Sequence, residues 1–297
     1  MTRIANIDGR LKVVRPDGLV DVQTASNGTF SSDTQAIYER WDEFVAWAQT
    51  AVDPTEPLVE EGPRFGPTVP RPPQIFALGE SYWEHADLFA LLPPADGASA
   101  VFTKLPSSIA GPYEDLKLSS DTVIDEVEIG IVFAKETYKV EPADVPAHIA
   151  GYTVTLDISD LDAGAVVWRT RWGGPGLTYG NFAKDREGYT PVGPYLVTPD
   201  EVDLSDINVD SEVNGVPKFR GNTTDLVLPF ADVISYISQR VRILPGDLLS
   251  SGAPARLIDK HADLRSEGLK PGDYITARVG NLGEQRKRVV AGDWAKV

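Results

Sequence analysis

An α+β fold dominated by strand is what the sequence predicts, on three observations. Short β-rich runs recur at Gln74 to Leu78, Val101 to Lys104, Val127 to Phe133, Tyr152 to Leu156, Tyr195 to Thr198 and Leu248 to Ser250. Two stretches carry apolar residues at helical spacing, one early and one late in the chain. Between the early one and the strands, Pro54, Pro57, Pro63, Pro67, Pro70, Pro72 and Pro73 crowd a segment that can sustain neither helix nor central strand. The expected organisation is a small N-terminal domain with a Pro-rich linker over residues 1–70, followed by a larger domain over 71–297.

Taken in order, residues 4 to 22 read as short strands around Pro16-Asp17-Gly18, a hairpin turn in which Pro presets φ and Gly accepts a positive φ. Ser32-Asp33 offers N-cap side chains ahead of Ile37, Trp41, Phe44, Val45 and Ala48, which predicts an amphipathic helix to about Ala51. Leu88 to Leu92 could make a short lid helix ended by Pro93-Pro94. The late helix fits Pro229 to Arg240, on the stripe Phe230, Val233, Ile234 and Ile237. Pro-Gly-Asp occurs at Pro245 to Asp247 and at Pro271 to Asp273, each time before a β-like run, as a turn that starts a strand would.

Composition narrows the function. A formal net charge of -16 repels phosphate backbones and anionic lipid, so neither nucleic acid nor a membrane surface is an expected partner. The absence of cysteine removes disulfides, thiolate metal sites and a Cys nucleophile together. The N-terminal residues lack an apolar signal core and no apolar run approaches a bilayer span, so a soluble cytoplasmic protein is expected. Ser107, Ser108 and Ser159 sit in no Gly-x-Ser-x-Gly elbow, and neither Gly-x-Gly-x-x-Gly nor a Gly-x-x-x-x-Gly-Lys loop occurs.

The acids are more informative. In Asp125-Glu126-Val127-Glu128 and onward to Phe133, apolar residues alternate, so a strand sends Glu126 and Glu128 to one face. Such a pair is usually a solvated sheet face. With Asp157, at the end of the Gly151 to Leu156 run, three carboxylates could converge on a hard divalent cation, Mg²⁺ or Mn²⁺, with Ca²⁺ a further option. Of the three histidines, His85, His148 and His261, His85 follows a strand among groups able to orient an imidazole and is the best candidate base. Three carboxylates and one dication leave a negative charge. An anionic substrate would then need Lys184, with Arg169 and Arg171, although a surface cation-π stack on Trp168 and Trp172 explains those arginines equally well.

Several ordered segments together resemble the catalytic domain of the fumarylacetoacetate hydrolase family. Ser81-Tyr82-Trp83-Glu84-His85 is similar to its Asn-Tyr-x-x-His segment, and Phe102 to Ser108 to its Phe-x-Lys-Pro-x-Ser-Ser run. Asp125 to Glu128 resembles the acidic metal strand, Gly151 to Ser159 the Gly-Tyr-Thr-x-x-x-Asp-x-Ser segment, and Lys184 falls on the active-site lysine. Asn214-Gly215 and Leu244 to Asp247 complete the order, over roughly residues 74–280. The resemblance implies a mixed β-sandwich roll, usually dimeric, with a divalent metal on Glu126, Glu128 and Asp157 and a small appended N-terminal domain. It also places Tyr82 and Ala253 beside the substrate.

Departures from the family pattern cluster around the substrate. A Glu expected three residues after the histidine is Leu88, with Asp87 beside it; Ser-Ala-Arg-Asp is Ser159-Asp160-Leu161-Asp162; and Gly-Thr-Pro is Gly252-Ala253-Pro254, which loses a hydroxyl. The leading expectation is a metal-dependent hydrolase cleaving a C–C bond in a β-diketone or acylpyruvate-like molecule through an enolate. His85 would activate water and Lys184 would stabilise the oxyanion. An isomerase, decarboxylase or other lyase on a 2-oxo acid would use the same chemistry, and a non-catalytic small-molecule binder on a decayed scaffold is the third reading.

Overall fold

The computed structural model describes residues 2–51, 53–83, 100–163, 183–258 and 262–292. Besides two small two-stranded ladders, the strands of its two main sheets are β1 (Arg3–Ile7), β2 (Arg10–Arg15), β3 (Gly18–Asp21), β4 (Phe65–Gly66), β5 (Ile75–Gly79), β6 (Ala100–Lys104), β7 (Leu116–Lys117) and β8 (Val127–Phe133). They continue as β9 (Ile149–Leu156), β10 (Tyr195–Val197), β11 (Asn208–Val213), β12 (Val216–Asn222), β13 (Leu248–Ser250), β14 (Tyr274–Val279) and β15 (Glu284–Val290). A ten-stranded mixed sheet runs β3-β2-β1-β10-β9-β8-β13-β5-β6, with β4 joined to β1, and a five-stranded sheet runs β12-β11-β14-β15-β7. The fold is the strand-dominated mixed sandwich expected from the sequence.

Turn chemistry sets the local register. Pro16-Asp17 links β2 to β3 with Arg15 opposite Gly18, giving the expected hairpin. Both Pro-Gly-Asp turns hold their glycine at positive φ, +78° at Gly246 and +99° at Gly272, and lead directly into β13 and β14. The late helix forms at Phe230–Ser238 with Pro229 as its N-cap residue.

The early helix departs from its expected form. Asp33 caps it as foreseen, its carboxylate accepting from the Gln35 amide, but Thr34–Arg40 winds as a 3₁₀ helix and only Trp41–Thr50 is α-helical. Arg40 breaks the run at φ -129°, while the buried Tyr38 hydroxyl donates to the Thr68 carbonyl at 2.8 Å. Tertiary anchoring of Tyr38 thus prevails over the continuous 3.6-residue pattern.

Alternation along β8 divides the core. Val127, Ile129, Ile131 and Phe133 pack with Val209, Ile275 and Val279 of the five-stranded sheet. Val132, from the opposite face, joins Ile37, Tyr38, Trp41, Phe44 and Ala48 of the N-terminal helices. Both faces of β8 are covered, and each fully buried aliphatic side chain contributes about 1.5–3 kcal/mol. Through β1, hydrogen-bonded to β10, the N-terminal strands share the sheet with the rest of the chain. No described helix is long and apolar enough to cross a membrane.

Candidate active site

The ends of β8 and β9 assemble the acids. Val127 lies opposite Leu156, and one step further the Asp157 amide donates to the Glu126 carbonyl at 2.9 Å. The three acids predicted to converge therefore lie at one end of one strand pair. Glu128 faces across to β13, where the Ser250 hydroxyl donates to its Oε2 at 2.5 Å and the Gly252 amide donates to the same oxygen at 3.0 Å. Ser250 is itself placed by Thr155, with Oγ and Oγ1 2.8 Å apart.

Two lysines hold Asp157, one on each carboxylate oxygen. Lys104 donates to Oδ1 at 2.6 Å and to the Tyr189 carbonyl at 2.7 Å, with its side chain 0% exposed. Lys184 donates to Oδ2, to the Ser159 hydroxyl at 2.7 Å, and reaches Glu126 Oε2 at 3.5 Å. Lys184 is less enclosed, at 21% side-chain exposure, and lies over the Phe102 ring at 5.1 Å. Its neighbours are held on either side, the Asp160 amide donating to the Ala183 carbonyl and the Leu105 amide to the Asp185 carboxylate.

Electrostatics follows from this burial. Desolvation opposes ionisation of Asp157, but the Lys104 and Lys184 ammonium groups override it and hold its carboxyl below the usual range. Burial likewise opposes the charge on Lys184, yet Asp157 and Glu126 keep it well above the ordinary lysine value. Glu128 has no such ammonium contact: burial and the nearby charge of Asp157 push it up to about 8, against the Ser250 hydrogen bond.

This donor set suits a hard dication. Three carboxylate side chains at the end of one strand pair form an all-oxygen donor set of the kind hard dications take, and burial followed by the charge of Asp157 is what raises Glu128. Among the described residues no three acids already enclose a common ion position; the Lys184 ammonium lies between Glu126 and Asp157.

Tyr82 and Ala253 flank the acids. Tyr82 is buried, bridges to Leu226, and is raised by burial and then by the charge of Glu128. Ala253, also buried, follows Gly252 in the loop that binds Glu128. His85, Arg169 and Arg171, and the suggested lid at Leu88 to Leu92, lie outside the described residues. Sequence reasoning assigned no role to Lys104, Ser159 or Ser250. Lys104 and Ser159 did leave a signal, as the lysine of the Phe-x-Lys run and the serine of the Asp-x-Ser segment.

A mixed-sheet sandwich with three acids and a lysine at the end of its central strands defines the class as the fumarylacetoacetate hydrolase type. The chain belongs to that family: the domain described as Fumarylacetoacetate (FAA) hydrolase C-terminal matches residues 74–290. It is 30% identical over 275 residues to 2,4-didehydro-3-deoxy-L-rhamnonate hydrolase of Sphingomonas sp. (strain SKA58), covering 92% of this chain and 91% of that one. It is also 30% identical over 279 residues to the mitochondrial oxaloacetate tautomerase of Rattus norvegicus, covering 92% and 84%. The crystal structure of a candidate HpcE protein from Mycobacterium smegmatis superposes with a TM-score of 0.84 at 33% identity, covering 98% of this chain and all of that one. Relatives in the family are thus enzymes acting on small molecules, with both hydrolase and tautomerase among them.

Proposed function

We propose that the protein is a divalent-metal-dependent hydrolase that cleaves a C–C bond in a β-diketone or acylpyruvate-like molecule. The observation that carries this reading is the contact of one partly exposed ammonium group, Lys184, with both Asp157 and Glu126 beside buried Glu128. Glu126, Glu128 and Asp157 would hold Mg²⁺ or Mn²⁺. Bound there, the cation supplies a Lewis acid for the paired oxygens of a 2-oxo acid.

The chain's own groups then divide the work. Lys184, kept protonated by the acids, donates to the carbonyl oxygen on which charge develops. His85, assigned from sequence, takes a proton from water as the hydroxyl adds to the far carbonyl carbon. The C–C bond breaks, its electron pair passes to the 2-oxo fragment as an enolate, and the proton returns to that fragment. The products are a carboxylic acid and a 2-oxo acid. Homodimer formation in the cytoplasm is part of the same reading.

Turnover of an acylpyruvate in ¹⁸O-labelled water with Mg²⁺ or Mn²⁺ tests this. One labelled oxygen in the carboxylic acid product, lost in His85→Ala with metal still bound, is the expected result. A second reading is favoured by the tautomerase relative and by Leu88 in place of the expected acid: isomerisation of a 2-oxo acid at the same centre. Conversion without label incorporation selects it.

A further inference from the structure

The two oxygens of Asp157 are not equivalent. Oδ1 is bound by Lys104, whose ammonium also donates to the Tyr189 carbonyl and whose side chain is fully enclosed. Oδ2 faces the other way, to partly exposed Lys184. Glu128 is treated similarly by different groups: among the described residues both its donors, Ser250 Oγ and Gly252 N, reach Oε2, and Oε1 is clear of them.

From this asymmetry we propose that Lys104 is a positioning residue that sets the metal preference of the site. It holds Asp157 to one ligating oxygen and so favours a small octahedral cation, Mg²⁺ or Mn²⁺, over Ca²⁺. The inference rests on the metal-site reading given under Proposed function and goes beyond it by choosing among the cations.

The physical basis is the different appetite of the ions. Ca²⁺ takes about 6–8 oxygens and exploits bidentate carboxylates, whereas Mg²⁺ keeps about six short bonds and retains waters in several of them. Tying down the second oxygen of Asp157 and of Glu128 subtracts donors that only the larger ion can use. Burial and the Tyr189 carbonyl fix the Lys104 amino group on Oδ1. This is second-layer control of a ligand's geometry rather than of its charge.

Calorimetric titration of the metal-free protein with MgCl₂, MnCl₂ and CaCl₂ tests the inference without reference to turnover. In Lys104→Met, deleting the ammonium changes the long-range field alike for all dications, so the informative quantity is the ratio of Mg²⁺ to Ca²⁺ affinity. That ratio is expected to fall by about tenfold as Oδ1 becomes available. Equal changes for both ions, or none, overturn the proposal and leave the metal site standing. Failure of the wild-type protein to bind any of the three removes both.

Should Lys104→Met not fold, as judged by its circular dichroism and melting, Ser250→Ala decides the matter. It takes the hydroxyl off Glu128 Oε2 and leaves the Gly252 amide, so a shift in the same direction and of smaller size supports the donor-restriction principle. An unchanged ratio there overturns it.

Discussion

The Asp157 amide and the Glu126 carbonyl form one more rung beyond the last paired residues of β8 and β9, at 2.9 Å. That bond fixes the spacing of two acids through main chain rather than through their own flexible side chains. Like charges are thus held together by the ladder, and the Lys184 ammonium between them offsets their repulsion.

Replacing Glu126 by Gln is expected to lower Mn²⁺ affinity by about tenfold or more, with little change in the stability of the metal-free protein. Glu126 keeps 20% side-chain exposure and retains its backbone bond to Asp157, so the amide is readily accommodated. Equilibrium dialysis of Mn²⁺ and urea unfolding of the metal-free variant check the two halves of this expectation.

Gly130 packs where no side chain fits. A Cβ there would stand 2.5 Å from Thr155 Cγ2 and 2.7 Å from Thr153 Cγ2, in the middle of the strand that carries Glu128. Gly130→Ala therefore overpacks β8 against β9 and is expected to cost about 1–3 kcal/mol, read by urea unfolding. Unchanged unfolding would mean that the two strands separate with ease.

Lys287 gives the fold a distinct pH response. It is 1% exposed and donates to the Gly111 carbonyl at 2.5 Å, and burial pushes its pKa down to about 7, with Glu114 and Asp115 opposing. Between that value and the ordinary 10.5, the unfolded chain binds more protons than the folded one, so this group makes stability rise with pH in that window. Below about 7 its contribution is flat. Lys287→Met should lose up to about 1.4 kcal/mol per pH unit of that slope, measured as the difference between variant and wild-type unfolding from pH 6 to 10.

Local signals in the sequence sufficed for much of the architecture. Alternation marks β8 residue for residue, and both Pro-Gly-Asp turns mark the start of a strand, because these features depend on neighbours only a few positions away. The same alternation put Glu126 and Glu128 on one face. It carried no information on burial: Glu128 is sealed while Glu126 remains partly exposed, and that difference is made by Ser250 and Gly252, more than a hundred residues downstream.

Lys104 shows the limit most clearly. A lysine closing a strand reads as a solvated end, and only the arrival of Asp157 and the Tyr189 carbonyl makes its burial tolerable. The 3₁₀ turn of Thr34–Arg40 was illegible for a similar reason, since Tyr38 answers to Thr68 rather than to its own helix. His85, Arg169 and Arg171 remain sequence assignments.

One face of β8 begins with Glu128 and ends at Val132, beneath the N-terminal helices. The first fifty residues thus share one core with the strands that carry the acids. A truncated chain starting near Ile75 is expected to lay bare an oily strip of Val132, Ala134, Ala150 and Leu248, and light scattering of that chain should show it self-associating.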